Sequence, residues 1–381
     1  MPFWSRRPPE EPPSWDELFP LEALLRSQLD DVLIVQERRL LGRSLAFGGR
    51  LLVEPAVAVE RLRPRLARHG YTPFLREDQG TVWVHAIAQA EVAEPSRPLI
   101  HLGLFLATVV TTLLAGTLSL GGVSPGELWQ HPGRIAVGLP FSMALLGILG
   151  VHEFGHYTFG RLHGMPVSLP YFIPVPPPFF LGTLGAVIRL RGAIRDRRAL
   201  FDMAVAGPLA GLVVAVPVYV LGLKLSSVVR IPQEAPGGHF MQFGDAVLPK
   251  LLERLTLGAL PPDFDILLHP VGVAAWFGFY VTALNLIPAG QLDGGHIVYA
   301  LFGGRHALIS KLAVGGLVLI GLAFGSMNWL VWAALIVGLM GFRHGPTMDD
   351  ITPLDGRRRA LGLFALILLF LLLPPVPLSV R

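Results

Sequence analysis

The 381-residue sequence contains no cysteine. Disulfides, thiolate metal ligands and cysteine nucleophiles are therefore excluded, and any metal has to be held by histidine and carboxylate. Charge is scarce as well: 15% of the residues are Asp, Glu, Lys or Arg, against 52% that are hydrophobic, and the mean hydropathy is +0.55. Soluble proteins with apolar cores do not carry repeated charge-free runs of about 20 residues, the length that crosses a bilayer, so the chain reads as a membrane protein. Also missing is a basic stripe with interleaved aromatics. The net charge is +4, but the arginines are dispersed through loops, which argues against a nucleic-acid partner and for a basic membrane face. The N-terminal stretch MPFWSRRPPEEPPSWDELF has no apolar core of a secretory signal; the first membrane helix is expected to direct insertion.

What is present divides into two parts. Residues 1–97 are charged and Pro-rich at first and contain no spanning run, which predicts a small soluble α+β accessory domain. Its alternating and helical patterns place a strand over Ser44 to Leu52, a helix over Val57 to His69, and strands over Thr72 to Arg76 and Thr81 to Ile87 around Asp78-Gln79-Gly80. Such a unit can bind a peptide along a sheet edge, dock on the membrane part, or be an inert extension, and no catalytic motif lies in it. Residues 98–376 predict an α-helical polytopic membrane domain with a catalytic core at about 135–302. It is followed by a short C-terminal tail, 377–381.

About seven membrane helices, with a range of six to eight, are expected: Ile100–Leu120, Ile135–Phe159, Leu200–Leu223, Leu268–Ile287, Ala307–Phe324, Trp329–Phe342 and Ala360–Leu373. The loop from Gly160 to Ala199 carries six arginines, and the loop from Lys224 to Leu267 is dominated by acids. By the positive-inside rule the first is cytoplasmic, as are the N-terminal domain and the 343–359 loop. Pro170 to Leu190 is apolar but too rich in proline for a helix. Its half from Phe180 to Leu190 reads as a β hairpin or loop dipping into the membrane, tolerated there only beside protein or a water-filled cavity.

The chemistry centres on His152-Glu153-Phe154-Gly155-His156, at the end of an apolar run without charge. On a helix, positions i and i+4 share a face, so both imidazoles can ligate one zinc while Glu153 reaches water at the metal. Each ionisable residue deep in a bilayer costs about 2.5–3.5 kcal/mol. A purposeless cluster of three is hard to sustain, whereas zinc binding, at about 10 kcal/mol or more in structural sites, offsets that cost. A catalytic zinc takes three protein ligands and keeps one position open. The best third ligand is Asp293, in Asn285-Leu286-Ile287-Pro288-Ala289-Gly290-Gln291-Leu292-Asp293-Gly294-Gly295, which the topology puts at the same depth. Pro288 should break the span and Gly294-Gly295 allow close approach. Asn285 offers amide donors to a peptide carbonyl or its oxyanion, or an interhelical hydrogen bond. His296 reads as an outer partner of the ligand set or a transition-state donor, His163 as a loop histidine, and Asp202 as a carboxylate at a helix N-terminus. Gly207-Pro208 and Gly211 read as marks of close helix packing.

With H-E-F-G-H in one membrane helix and N-x-x-P-x-x-x-L-D-G-G in a later one, the chain resembles the site-2 protease family of intramembrane zinc metalloproteases over about Ile135 to Phe302. The resemblance implies one zinc per chain on His152, His156 and Asp293, Glu153 as general base, and hydrolysis within or near the transmembrane segment of a membrane-protein substrate, often in regulated intramembrane proteolysis. It also implies that Gly182-Thr183-Leu184-Gly185-Ala186 lies next to the substrate. The acidic loop is too short for an inserted domain of ordinary size. The expected location is the cell (inner, cytoplasmic) membrane, multi-pass, with the active-site end cytoplasmic. Alternatives are a membrane metalloprotease trimming soluble or lipid-modified peptides, a non-catalytic scaffold that binds zinc or substrate, and a zinc transporter. Intact Glu153 argues against the scaffold, since ligation alone needs no base, and a single polar site argues against the transporter.

Overall fold

A computed structural model describes residues 15–41, 44–88, 97–230, 241–261 and 263–380. The N-terminal part runs α1 (Trp15–Ser27), β1 (Leu33–Leu41), β2 (Ser44–Leu51), α2 (Pro55–Ala67), β3 (Tyr71–Asp78) and β4 (Thr81–Ala88). The strands form one antiparallel sheet in the order β1-β2-β4-β3. Gln79 and Gly80 both have positive φ, the conformation a tight hairpin demands and glycine supplies. Helix α2 buries Ala58, Val59, Leu62 and Leu66, one helical face, onto Phe47, Leu75 and Val84 of the sheet. Periodicity alone misses α1 and β1. The middle of β1 is Gln-Glu-Arg-Arg, and a bulge between Val35 and Glu37 shifts its register, which breaks the alternation and blunts this edge.

The apolar part continues with α3 (Pro98–Ala115, extended by a wide turn to Leu120), α4 (Pro125–Gln130), α5 (Leu139–Leu162), β5 (Tyr171–Pro174), β6 (Thr183–Val187) and α6 (Arg197–Leu225). Then come β7 (Ser227–Arg230), β8 (Met241–Phe243), α7 (Val247–Leu257), β9 (Phe264–Leu267), α8 (Pro270–Leu286) and α9 (Asp293–Phe302). The chain finishes with α10 (His306–Ala323), α11 (Met327–Leu335, wound on to Met340), α12 (Gly356–Leu372) and β10 (Leu378–Val380). All seven apolar segments are helical. Four stretches among the described residues are long and apolar enough to cross a membrane: Pro98–Leu120, Pro132–Leu162, Arg197–Leu225 and Asp293–Ala323. The helices of the other three segments are shorter, α8 because Pro288 lacks the donor that would continue it and forces Ile287 out of helical geometry (ψ 124°).

The membrane core is the α5–α6–α8 packing, lined by Phe141, Leu145, Phe201, Phe279 and Leu286. Its two ends differ. At one end β7 pairs with β9, and β10, within what reads as a tail, pairs with β8. At the other, the segment 347–350 lies between β3 and residues 194–196. The Leu75 N–H donates to the Met348 carbonyl (2.7 Å) and Met348 N–H to the Ile194 carbonyl (2.8 Å), while the Met348 side chain enters the N-terminal core. The four-stranded sheet is thereby continued by two segments of the apolar part, and the 160–199 and 343–359 loops share the end that bears it.

Helices α6 and α8 cross at Gly222 and Gly272: a Cβ on Gly222 would lie 2.3 Å from the Gly272 Cα. Gly222→Ala forces these backbones apart and is expected to lower stability by about 1–3 kcal/mol. Gly316→Ala on α10, where the added methyl meets nothing, should be neutral or stabilising by up to about 1 kcal/mol. Thermal unfolding of the two variants in detergent checks this, and equal behaviour would contradict it.

Candidate metal centre and active site

Helix α5 carries His152, Glu153 and His156 on its buried face, at 3%, 6% and 5% exposure. The turn after α8 brings Asp293, the first residue of α9, against them. His156 Nε2 lies 3.1 Å from His152 Nε2 and 3.2 Å from Asp293 Oδ2, and His152 Nε2 lies 3.4 Å from the same oxygen. For metal–ligand bonds of 2.0–2.1 Å the edge of a coordination tetrahedron is about 3.3–3.4 Å, so three ligand atoms are spaced as three corners around one small cation. Asp293 Oδ2 is buried with no hydrogen-bond partner, an orphaned acceptor that a cation would satisfy. These are the three residues among the described ones whose ligand atoms converge in this way. The set of two nitrogens and one carboxylate oxygen with a fourth corner free suits a zinc of the catalytic kind.

The imidazoles are oriented from outside. Nδ1 of His156 donates to the Met203 carbonyl on α6 (2.8 Å), which leaves the Nε2 lone pair for a metal. Small residues make the approach of α6 possible. A Cβ on Gly207 would stand 2.1 Å from His156 Nε2, one on Gly211 3.1 Å from His152 Nδ1, and one on Gly155 2.8 Å from the Ala206 carbonyl oxygen. Gly207 and Gly211 therefore floor the site as well as packing the helices, a role that their small size alone does not distinguish from ordinary close packing. Gly294 and Gly295 serve the third ligand. Cβ atoms there would meet the carbonyl oxygens of Leu286 and Gly290 at 2.0 and 2.5 Å, so both must be glycine for α9 to start beneath the turn and aim Asp293 inward.

Asn285 reaches the same spot, its Nδ2 3.3 Å from His152 Nε2. The apolar Pro-rich segment forms a two-stranded hairpin, β5 with β6, so that its proline-rich half supplies one strand. The hairpin borders Glu153: the Ile188 backbone amide, one residue beyond β6, faces the Glu153 carboxylate. Thr183 is 2% exposed and holds the hairpin, its hydroxyl donating to the Ile173 carbonyl (2.9 Å) and accepting from the Gly185 N–H (3.0 Å). Gly182 has φ +70° and lies against the α3 backbone, where a Cβ would be 2.3 Å from the Thr111 carbonyl oxygen, and Gly185 has φ +97° in open space. Helix α3 clamps the hairpin at both ends, with Thr111 Oγ1 donating to the Gly182 carbonyl (2.6 Å) and His101 Nδ1 to that of Pro170 (3.2 Å).

Two sequence readings need correction. His296 does not hydrogen-bond the ligand set: its Nδ1 pairs with His344 Nε2 at 2.6 Å. Because His344 Nδ1 faces the Gly345 carbonyl, which can only accept, and burial pushes the His344 imidazole down to about 2, the ring is neutral and its Nε2 accepts. The His296 Nδ1 is then the donor, and in a neutral His296 ring Nε2 is left an acceptor, unsuited to donate to an oxyanion. Asp202 is not the α6 cap. That role belongs to Asp196, which accepts from the Ala199 N–H at 2.7 Å. Asp202 instead joins three helices, bonded by Arg358 Nε at 2.7 Å and by His163 Nε2 at 2.9 Å. His163 does lie in the turn that follows α5, as read from the sequence, and is one anchor of that junction.

Replacing Gly207 by alanine should displace the His156 ring and cut bound zinc to well below one per chain. Gly147→Ala on α5, with nothing within reach of the added methyl, should leave zinc unchanged. Metal analysis of the purified variants decides; full zinc occupancy in the Gly207 variant would overturn this account of the site.

Residues 140–327 match the model of peptidase family M50, a region that holds both motifs. Among curated proteins, "Probable zinc metalloprotease EGY1, chloroplastic" of Arabidopsis thaliana is 29% identical over 370 residues, 88% of this chain and 67% of that protein. "Probable zinc metalloprotease EGY2, chloroplastic" of the same plant is 32% identical over 244 residues, 63% of this chain and 42% of that protein. The EGY1 protein of Oryza sativa subsp. japonica is 28% identical over 319 residues, covering 76% and 53%. The chain thus spans only part of the length of these relatives. No solved structure matches it. With long apolar helices, a ligand triangle of the zinc kind and a match over residues 140–327 that takes in both motifs, the chain is similar to peptidase family M50, the site-2 protease family, and to relatives named as zinc metalloproteases.

Proposed function

We propose that this protein is an intramembrane zinc metalloendopeptidase that hydrolyses a peptide bond within or near a transmembrane segment of a membrane protein. The observation that carries this reading is the burial of His152, His156, Asp293 and Glu153 together in an apolar helix bundle, beside a strand with a free edge. His152 Nε2, His156 Nε2 and Asp293 Oδ2 would hold one zinc, which when bound supplies Lewis acidity to a carbonyl and acidifies water. Glu153 takes the proton of the attacking water and returns it to the leaving amine. Asn285, within reach of His152, donates its amide to the scissile carbonyl as negative charge builds on that oxygen.

A transmembrane helix hides its carbonyls in its own hydrogen bonds and must unwind to be cut. The outer edge of β6, where Leu184 and Val187 are exposed, takes the unwound segment as an added strand and lays it across Glu153. Gly182 and Gly185 let the hairpin adopt its shape, and Thr183 keeps it rigid. In this reading the end with the N-terminal sheet faces the cytoplasm of the cell membrane, which the arginine-rich loops favour by the positive-inside rule, with residues 1–97 as an accessory domain and 98–376 as the protease domain.

Cleavage of a panel of single-span membrane peptides by wild type and Glu153→Gln, with zinc measured on both, tests the function. Loss of activity by about 10²–10⁴-fold in the variant with zinc retained is the expected result. Zinc in both without cleavage of any single-span peptide would replace this reading by a scaffold or by a protease of soluble or lipid-modified peptides, the latter recognised by cleavage of short soluble substrates. Proline substitutions within 183–187 should abolish cleavage at normal zinc content; unchanged cleavage would sink the strand-pairing step.

A further inference from the structure

We infer that Arg76, Asp350 and Tyr299 are positioning residues through which the N-terminal sheet fixes helix α9, and with it the Asp293 carboxylate. The kinetic half of this inference rests on the protease reading; the metal-binding half does not. Asp350 is the meeting point. Its carboxylate accepts from the Tyr299 hydroxyl on α9 (2.7 Å), from Arg197 Nε at the start of α6 (3.1 Å) and from the Thr347 hydroxyl (3.0 Å), and pairs with Arg76 Nε on β3 at 3.6 Å. The Asp350 backbone is held by the same strand, its N–H donating to the Leu75 carbonyl at 3.2 Å. One carboxylate, its side chain 9% exposed, therefore joins the N-terminal sheet, the helix that carries Met203 and Gly207, and the helix that begins with Asp293.

The position of Tyr299 makes this connection matter to the site. It stands six residues after Asp293 on the ten-residue α9, so a shift at the hydroxyl moves the short helix as a unit. On the Asp293 side the helix continues from the turn after α8, and its first glycines, Gly294 and Gly295, leave no slack against the carbonyl oxygens of Leu286 and Gly290. A second contact steadies the same helix face: the Tyr299 ring stacks on His344 (centroids 4.1 Å, 19° between planes), and His344 bonds His296. Segment 344–350 thus grips α9 at two side chains one turn apart and grips β3 with its backbone. A metal ligand needs placement within a few tenths of an ångström, and partners outside the ligand set commonly change metal affinity by about 10–100-fold. Arg76, half exposed at 47%, also bonds the Tyr299 side chain itself, so both of its contacts in this direction, with Asp350 and with Tyr299, lead to α9.

The test is a double-mutant cycle of Arg76→Ala and Tyr299→Phe in the full chain, read by zinc affinity in competition with a chelator and by kcat and KM on a peptide that wild type cleaves. Each single variant is expected to weaken zinc binding about fivefold and to lower kcat by a similar factor at nearly constant KM, the range reported for coupling through a shared element. Arg76→Lys should recover most of the loss. In the Tyr299→Phe background Arg76→Ala should cost less than about twofold further, because the path is already cut. Independent, multiplying effects of the two substitutions, or no effect of Arg76→Ala on zinc affinity, would overturn the inference. Should wild type cleave no peptide, the protease reading fails, while the zinc-affinity cycle still decides this one.

Discussion

Two imidazoles and two carboxylates lie within an apolar bundle, and the surrounding structure is shaped by the need to make that arrangement tolerable. Each such group would be expensive in hydrocarbon by itself, and together they leave Asp293 Oδ2 an acceptor with no protein donor. The bundle answers with geometry. Met203 lends a carbonyl to the far side of His156, and Gly155, Gly207 and Gly211 let α6 press close enough for that carbonyl to arrive. Gly294 and Gly295 let α9 begin under the turn from α8. The glycines are spent where backbones meet the site, and their lack of side chains is what permits a set of ligand atoms within 3.4 Å of one another.

The hairpin obeys a related constraint. Irregular backbone within a membrane must be satisfied by protein, and α3 does this from both ends, at Pro170 and at Gly182, with Phe105 packed edge-on against Phe172 between them. Among the described residues the other edge of β6, near Glu153, pairs with no strand. An unsatisfied strand edge is a hazard in most proteins. In the function proposed above it becomes the place where an unwound substrate segment recovers the hydrogen bonds it has lost.

Much of this was legible beforehand because bilayers simplify sequences. Seven apolar runs, the i, i+4 histidines, and a proline followed by paired glycines each depend on local rules that hold regardless of the partners. The helical state of all seven runs, the end of α8 before Pro288 and the convergence of His152, His156 and Asp293 followed from them. What was not legible depends on partners distant in the chain. The β1 strand, with its charged middle, is recognisable only from its pairing with β2. His296, one turn from Asp293, reads as an outer partner of the ligand set or a transition-state donor, but a histidine 48 residues on claims its nitrogen. Asp202 resembled a helix cap until Arg358 was seen across from it. The full count of crossings also outruns periodicity, since helices of 17 residues such as α8 and α12 sit at the margin of bilayer thickness.

The segment 347–350 inserted between β3 and residues 194–196 has a consequence for the order in which the molecule is built. During synthesis the N-terminal sheet emerges first, with β3 as an open edge and without the Met348 side chain in its core. The strand that fills both places emerges only after every apolar helix but α12 has been made. Until then the carboxylate of Asp350, which joins the sheet to α9 and to the start of α6, is missing. The seam between the two parts therefore cannot close until all but the last apolar helix has been made.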